Sequence, residues 1–179
     1  MAHYLVTGRT ASGKSNWAKC MIRSMRSRGI KVLLLDPLRD PSYEADFRTT
    51  EPGEFMKMAF HPESKKCLLV VDEAGMSIGR YNPEMERLAT MSRHFGHQSI
   101  FVTQSVVQIS PIVRNNCENL VMFATGPQAA KMMSEQFGRP EIMETLNFGK
   151  GEYLFVPSFG NCGRGNVFDD MKKLGLFRG

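Results

Sequence analysis

One octapeptide constrains this chain more than any other feature. Gly8-Arg-Thr-Ala-Ser-Gly-Lys-Ser15 follows a short apolar stretch, Tyr4-Leu-Val-Thr7, that reads as a strand. It opens a stretch from Lys14 to about Arg28 that reads as a helix, stopped by Gly29. The pattern GxxxxGK[ST] between strand and helix serves a physical purpose. Glycines let the backbone curl so that successive N–H groups point inward at an anion. The helix N-terminus adds its partial positive charge. A lysine at position 14 reaches the β- and γ-phosphates of a nucleoside triphosphate, and the Ser15 hydroxyl can ligate Mg²⁺. Gly8, Arg9, Thr10, Ala11, Ser12, Gly13, Lys14, Ser15 and Asn16 are therefore expected to hold ATP.

The remainder alternates strand and helix. Strands are expected at Lys31 to Asp36, Cys67 to Val71, Ser99 to Thr103, Asn119 to Ala124 and Glu152 to Val156. Continuous apolar runs such as Val32 to Leu35 belong to strands covered on both faces. Helices are expected at Glu54 to Phe60, Pro83 to His94, Pro127 to Phe137 and Pro140 to Leu146, with a short one between Val106 and Asn116. Residues 37–50 read as polar and irregular, and the tail as Gly- and Asn-rich with a short charged end. Such alternation predicts an α/β fold in one domain over 1–179, with a mainly parallel sheet between two layers of helices. The 42% hydrophobic content suffices for a core.

Several classes are disfavoured. No stretch reaches the about 18 to 20 apolar residues that cross a bilayer, so no membrane span is expected. No signal peptide is read at the N-terminus. The cysteines (Cys20, Cys67, Cys117, Cys162) form no CxxC pair, which argues against zinc or a disulfide framework. His94 and His97 lack a third ligand nearby and are expected to cap or pack. The net charge of +5 favours a polyanionic partner without requiring one.

Two acids end the third strand, in Cys67-Leu-Leu-Val-Val-Asp72-Glu73. Carboxylates at the C-terminal end of a buried strand face the ligand crevice of an open α/β sheet. Asp72 is expected to hold Mg²⁺, through water, and Glu73 to orient and deprotonate an attacking water. A base beside the metal-binding acid points to hydrolysis. Gln104, after Ser99-Ile-Phe-Val-Thr103, stands at the same sheet edge, where it can sense the γ-phosphate or hold the lytic water.

The order of these segments carries a family resemblance. After the phosphate loop (Walker A) come Val-Val-Asp72-Glu73 (Walker B), Ser92-Arg93-His94-Phe-Gly96, Phe-Val-Thr103-Gln104-Ser105 and Ile112-Val-Arg114-Asn-Asn116. This series resembles the FtsK/HerA superfamily, and within it the small genome-packaging ATPases of membrane-containing viruses and phages. The resemblance covers Tyr4 to about Phe155. It implies a three-layer P-loop NTPase fold of the additional-strand, catalytic-glutamate type. It implies an ATP-hydrolysing motor that translocates viral DNA into a preformed capsid, in the host cytoplasm or at the virion's capsid vertex. It also implies a homo-oligomeric ring, usually a hexamer, with ATP between subunits; the isolated chain can stay monomeric until capsid vertex proteins or DNA assemble it. Gln104 is then the sensor, Arg93 the arginine that reaches the neighbouring subunit's nucleotide, and Arg114 the alternative for that role.

DNA contacts in such a ring would be to the phosphate backbone, independent of sequence and salt-sensitive. The candidate is the Met76 to Asn82 loop, through Arg80 and Tyr81, with the basic face of the first helix (Lys19, Arg23, Arg26) as the other option. Two further readings compete. Zonula-occludens-toxin-like assembly or secretion proteins of filamentous phages share the phosphate loop, the acid pair, an R-H-x-G segment and a T-Q strand end. They usually carry a transmembrane helix and a further domain, which ranks that reading second. A small-molecule kinase ranks third, since the region around Arg139 is too sparse in arginine for a lid.

Overall fold

The computed structural model describes residues 2–77 and 82–176. Eight strands form one sheet: β1 (Tyr4–Thr7), β2 (Val32–Leu35), β3 (Phe47–Thr49), β4 (Leu68–Val71), β5 (Gln98–Thr103), β6 (Asn119–Phe123), β7 (Glu152–Val156) and β8 (Gly163–Asn166). Their spatial order is β3-β2-β4-β5-β1-β6-β7-β8. The first six strands in that order run parallel, and β7 and β8 return antiparallel at one edge. Strand β5 lies between the strand that feeds the phosphate loop and the strand that ends in Asp72. That insertion is the additional strand expected from the resemblance.

Side-chain alternation along the strands builds two cores. Val6, Leu34, Val70, Val102 and Val121 pack against α1 (Lys14–Arg26) and α7 (Val167–Lys173) on one face. Leu5, Leu35, Val71, Phe101 and Leu120 pack on the other face. There they meet α2 (Pro52–Ala59), α4 (Pro83–Thr90), α5 (Pro111–Asn116) and α6 (Pro127–Phe137). The short α3 (Ala74–Ser77) follows the acid pair.

Three differences from the sequence reading have physical causes. The helix expected over Pro83 to His94 divides into α4 and a 3₁₀ turn, Ser92–Phe95, closed by Gly96 in the left-handed region. Residues 37–50 contain β3 and are held to the basic stripe of α1. Lys19 pairs with Asp40 at 2.7 Å, Arg23 with Glu44 at 3.2 Å and Arg26 with Asp46 at 2.7 Å. That stripe therefore holds the chain's own acids instead of lying open to a polyanion. The tail forms β8 and α7, whose start is capped by the Asn166 side chain accepting from the Phe168 N–H at 3.0 Å.

Candidate active site

The phosphate loop is bent by conformations that L-residues avoid. Gly13 has φ +119 and caps α1 without a side chain, so the first-turn N–H groups face outward uncapped. A Cβ on Gly13 would lie 2.9 Å from the Val167 side chain and 3.0 Å from the Phe123 ring. The hydroxyl of Ser12 is buried with no partner among the described residues. A ring of uncapped amides and an orphaned hydroxyl is the lining a phosphate would satisfy.

Lys14 is buried, and its Nζ donates to the Arg9 carbonyl at 2.9 Å across the loop. Burial lowers its pKa, opposed by the charges of Glu73 and Asp72. Those two acids stand at the end of β4, beside the loop. Asp72 is buried; burial raises its pKa, while hydrogen bonds from Tyr43 and the Glu73 N–H hold it down. The Tyr43 hydroxyl donates to Asp72 Oδ2 at 2.7 Å and also hydrogen-bonds Ser15. A carboxylate and a serine hydroxyl linked through one buried phenol form an oxygen-rich cluster that suits Mg²⁺. Burial and the neighbouring Asp72 charge push the Tyr43 pKa well above its ordinary value.

Glu73 adopts φ +48, a conformation that is costly without glycine. That backbone turns its carboxylate toward Gln104, whose Nε2 donates to Glu73 Oε1 at 2.9 Å. The Gln104 Oε1 in turn accepts from the Thr10 hydroxyl at 2.8 Å. A continuous chain thus runs from the phosphate loop through the amide to the candidate base.

Both arginines lie apart from this cluster. Arg93 sits before β5, at the sheet edge opposite the phosphate loop. It donates to the Asn116 carbonyl at 2.8 Å and pairs with Glu118 at 2.5 Å. Arg114 turns inward and donates to the carbonyls of Val106 and Ile109 at 2.7 and 3.2 Å, bracing the loop that follows Gln104. Arg80 and Tyr81 fall outside the described residues. His97 does cap: its Nδ1 accepts the Cys67 N–H at 3.0 Å and its Nε2 meets the Ala59 carbonyl at 2.8 Å. Among the described residues, no group of His, Cys, Asp or Glu could hold a metal by itself.

Sequence reasoning missed Tyr43, Lys150 and Phe168. Tyr43 is buried within an otherwise polar stretch, and that isolation was its only signal. Lys150 and Phe168 line a cleft of about 270 Å³ together with Ala11, Gly13, Lys14, Ser15 and Asn16.

A model of the zonular occludens toxin (Zot) family matches residues 43–132, half of the chain. The chain belongs to the Zot family. The matched span carries the acid pair, Arg93, Gln104 and Arg114 but begins after the phosphate loop. No curated protein matches. Among solved structures, the genome packaging NTPase B204 from Sulfolobus turreted icosahedral virus 2, in complex with AMPPCP, superposes at TM-score 0.77. Its sequence identity is 19%, covering 92% of this chain and 97% of that one. The N-terminal domain of zonular occludens toxin from Neisseria meningitidis superposes at TM-score 0.57 with 16% identity, covering 94% and 97% of the two chains. The pCW3 conjugation coupling protein TcpA, in its monomer form with ATPγS, superposes at 0.62 with 18% identity, covering 96% of this chain and 62% of that one. These likenesses show a P-loop NTPase fold for this Zot-family chain. The family ranked second from sequence is thus the one matched by sequence, on a scaffold shared with packaging NTPases. No described helix in this Zot-family chain is long and apolar enough to cross a membrane.

Proposed function

We propose that this protein hydrolyses ATP and uses the energy to move viral DNA into a preformed capsid. The hydrogen-bonded chain from Thr10 through Gln104 to Glu73 carries the reading. It ties the loop that would hold the terminal phosphate to the carboxylate that would activate water, so occupancy and chemistry are coupled. Glu73 takes the proton of the attacking water, Gln104 orients that water, and Lys14 with the loop amides stabilises charge on the phosphoryl oxygens. Ser15 and Asp72 would hold Mg²⁺, which neutralises charge on the phosphates when bound.

Subunits close into a ring, and Arg93 acts on a neighbour's nucleotide. Its place at the far sheet edge supports a role in trans, since it stands away from its own subunit's loop. Release from Glu118 is then part of assembly. An arginine acting this way accelerates phosphoryl transfer by about 10³ to 10⁵. The Zot family match favours a second reading, an assembly or secretion ATPase of a filamentous phage.

Phosphate release with and without double-stranded DNA tests both. The motor reading predicts stimulation by DNA that weakens as salt rises. It also predicts loss of turnover in Arg93→Ala and partial rescue when Arg93→Ala and Glu73→Ala subunits are mixed. Turnover indifferent to DNA would favour the assembly reading.

A further inference from the structure

The C-terminal segment is bolted onto the phosphate loop. Gly151 N–H donates to the Ser12 carbonyl at 2.9 Å, and Val167 N–H donates to the Gly151 carbonyl at 2.9 Å. Gly151 has φ +87, and a Cβ there would lie 2.5 Å from the Phe168 ring. Gly13 presses on Val167 from the other side. These contacts place Lys150 and Phe168 in the lining of the cleft shared with Ala11, Gly13, Lys14, Ser15 and Asn16.

That cleft has a direction. Asp72, Glu73 and Gln104 do not line it; Glu73 and Gln104 meet the loop at Thr10, and Asp72 reaches Ser15 through Tyr43. The reacting end of a triphosphate therefore lies toward the acids, and the opposite end leaves past the first turn of α1, by Asn16. There the lining changes from amides to an aromatic ring and an ammonium. The cleft holds about 270 Å³; Gly13, Lys14 and Ser15 line its phosphate end, and Asn16, Lys150 and Phe168 complete its lining.

We propose that the Phe168 and Lys150 cleft is the nucleoside subsite, with the base against the Phe168 ring and Lys150 beside the ribose and α-phosphate. This inference rests on the phosphate loop binding a nucleoside triphosphate. It assigns β8 and α7, outside the residues matched by the family model, a direct part in ligand recognition. A ring recognises any base by its π-face, so the gain is affinity for the nucleoside moiety as such.

Calorimetric titration of the full chain with Mg·ATP, and separately with Mg·tripolyphosphate, tests it. Phe168→Leu keeps apolar bulk under Gly151 and removes the ring. It should weaken ATP about tenfold while leaving tripolyphosphate within about twofold. Phe168→Tyr should bind both as the parent does, and thermal melting verifies that each variant is folded. Lys14→Ala should lose both ligands. An unchanged ATP affinity in Phe168→Leu, beside loss in Lys14→Ala, would overturn the subsite and leave the phosphate loop intact. Equal weakening of both ligands would also overturn it, because the ring would then act through the shape of the loop. A parent chain that binds neither ligand would sink the nucleotide reading itself.

Discussion

Glu73 joins backbone strain to the chemistry proposed for it. Its left-handed φ of +48 is set by its place between β4 and α3, where the chain must turn sharply after Asp72. The Asp72 side chain helps by accepting the Glu73 N–H at 2.9 Å. Nothing about stability alone requires glutamate at such a position, and glycine would relax the backbone. Glu73→Gly should therefore hold or raise unfolding stability, by about 1 kcal/mol, while abolishing phosphate release. Urea denaturation and a phosphate assay on the same preparation measure both. A marked loss of stability would mean that the carboxylate serves the fold.

At the scale of elements, legibility followed pattern strength. The buried parallel strands and α6 declared themselves because continuous apolar runs and a Pro start admit few alternatives. β3 and β8 did not. Each is short and polar, Phe-Arg-Thr and Gly-Arg-Gly-Asn, and each is a strand only because a neighbour offers it a ladder. Helix α7 carries its own local signals: Asn166 as cap, Asp169 and Asp170 in the first turn, Lys172 and Lys173 in the last. The same divide holds in the candidate site. Lys14, Asp72, Glu73 and Gln104 converge because parallel strands deliver their C-terminal ends to one edge. Tyr43 was hidden because its position depends on ion pairs between the 37–47 segment and α1, a long-range match with no local period. Arg93 was legible as a motif but not as a location. The parallel pairing of β5 with β1 puts it at the strand ends away from the loop.

At the scale of the whole molecule, two buried histidines tie stability to pH. His3 is fully buried, and its Nδ1 accepts the Ser99 N–H at 3.1 Å. Burial first, then the Arg93 charge, lowers its pKa from 6.5 to about 4. Burial lowers that of His97 as well. The folded state thus favours neutral imidazole. Its stabilisation is complete above the unfolded value of 6.5 and drains away as pH falls toward about 4, because the unfolded chain takes up protons first. His3 alone accounts for about 3 kcal/mol across that window. Unfolding free energy should drop between about pH 7 and pH 4.5, and His3→Leu should flatten that slope. A slope unaltered by the substitution would contradict the assignment.

The proposed activity stands on one coupled site, a phosphate loop facing the carboxylate that would activate water. Comparing Mg·ATP binding and phosphate release in the parent chain and in Glu73→Gln tests it most directly. The amide keeps the shape and the contact with Gln104 but cannot accept the proton. Binding should persist within a few-fold, while release falls by at least about 100-fold. Equal rates of release in the two proteins would contradict the assignment of Glu73, and absence of ATP binding in both would contradict the site.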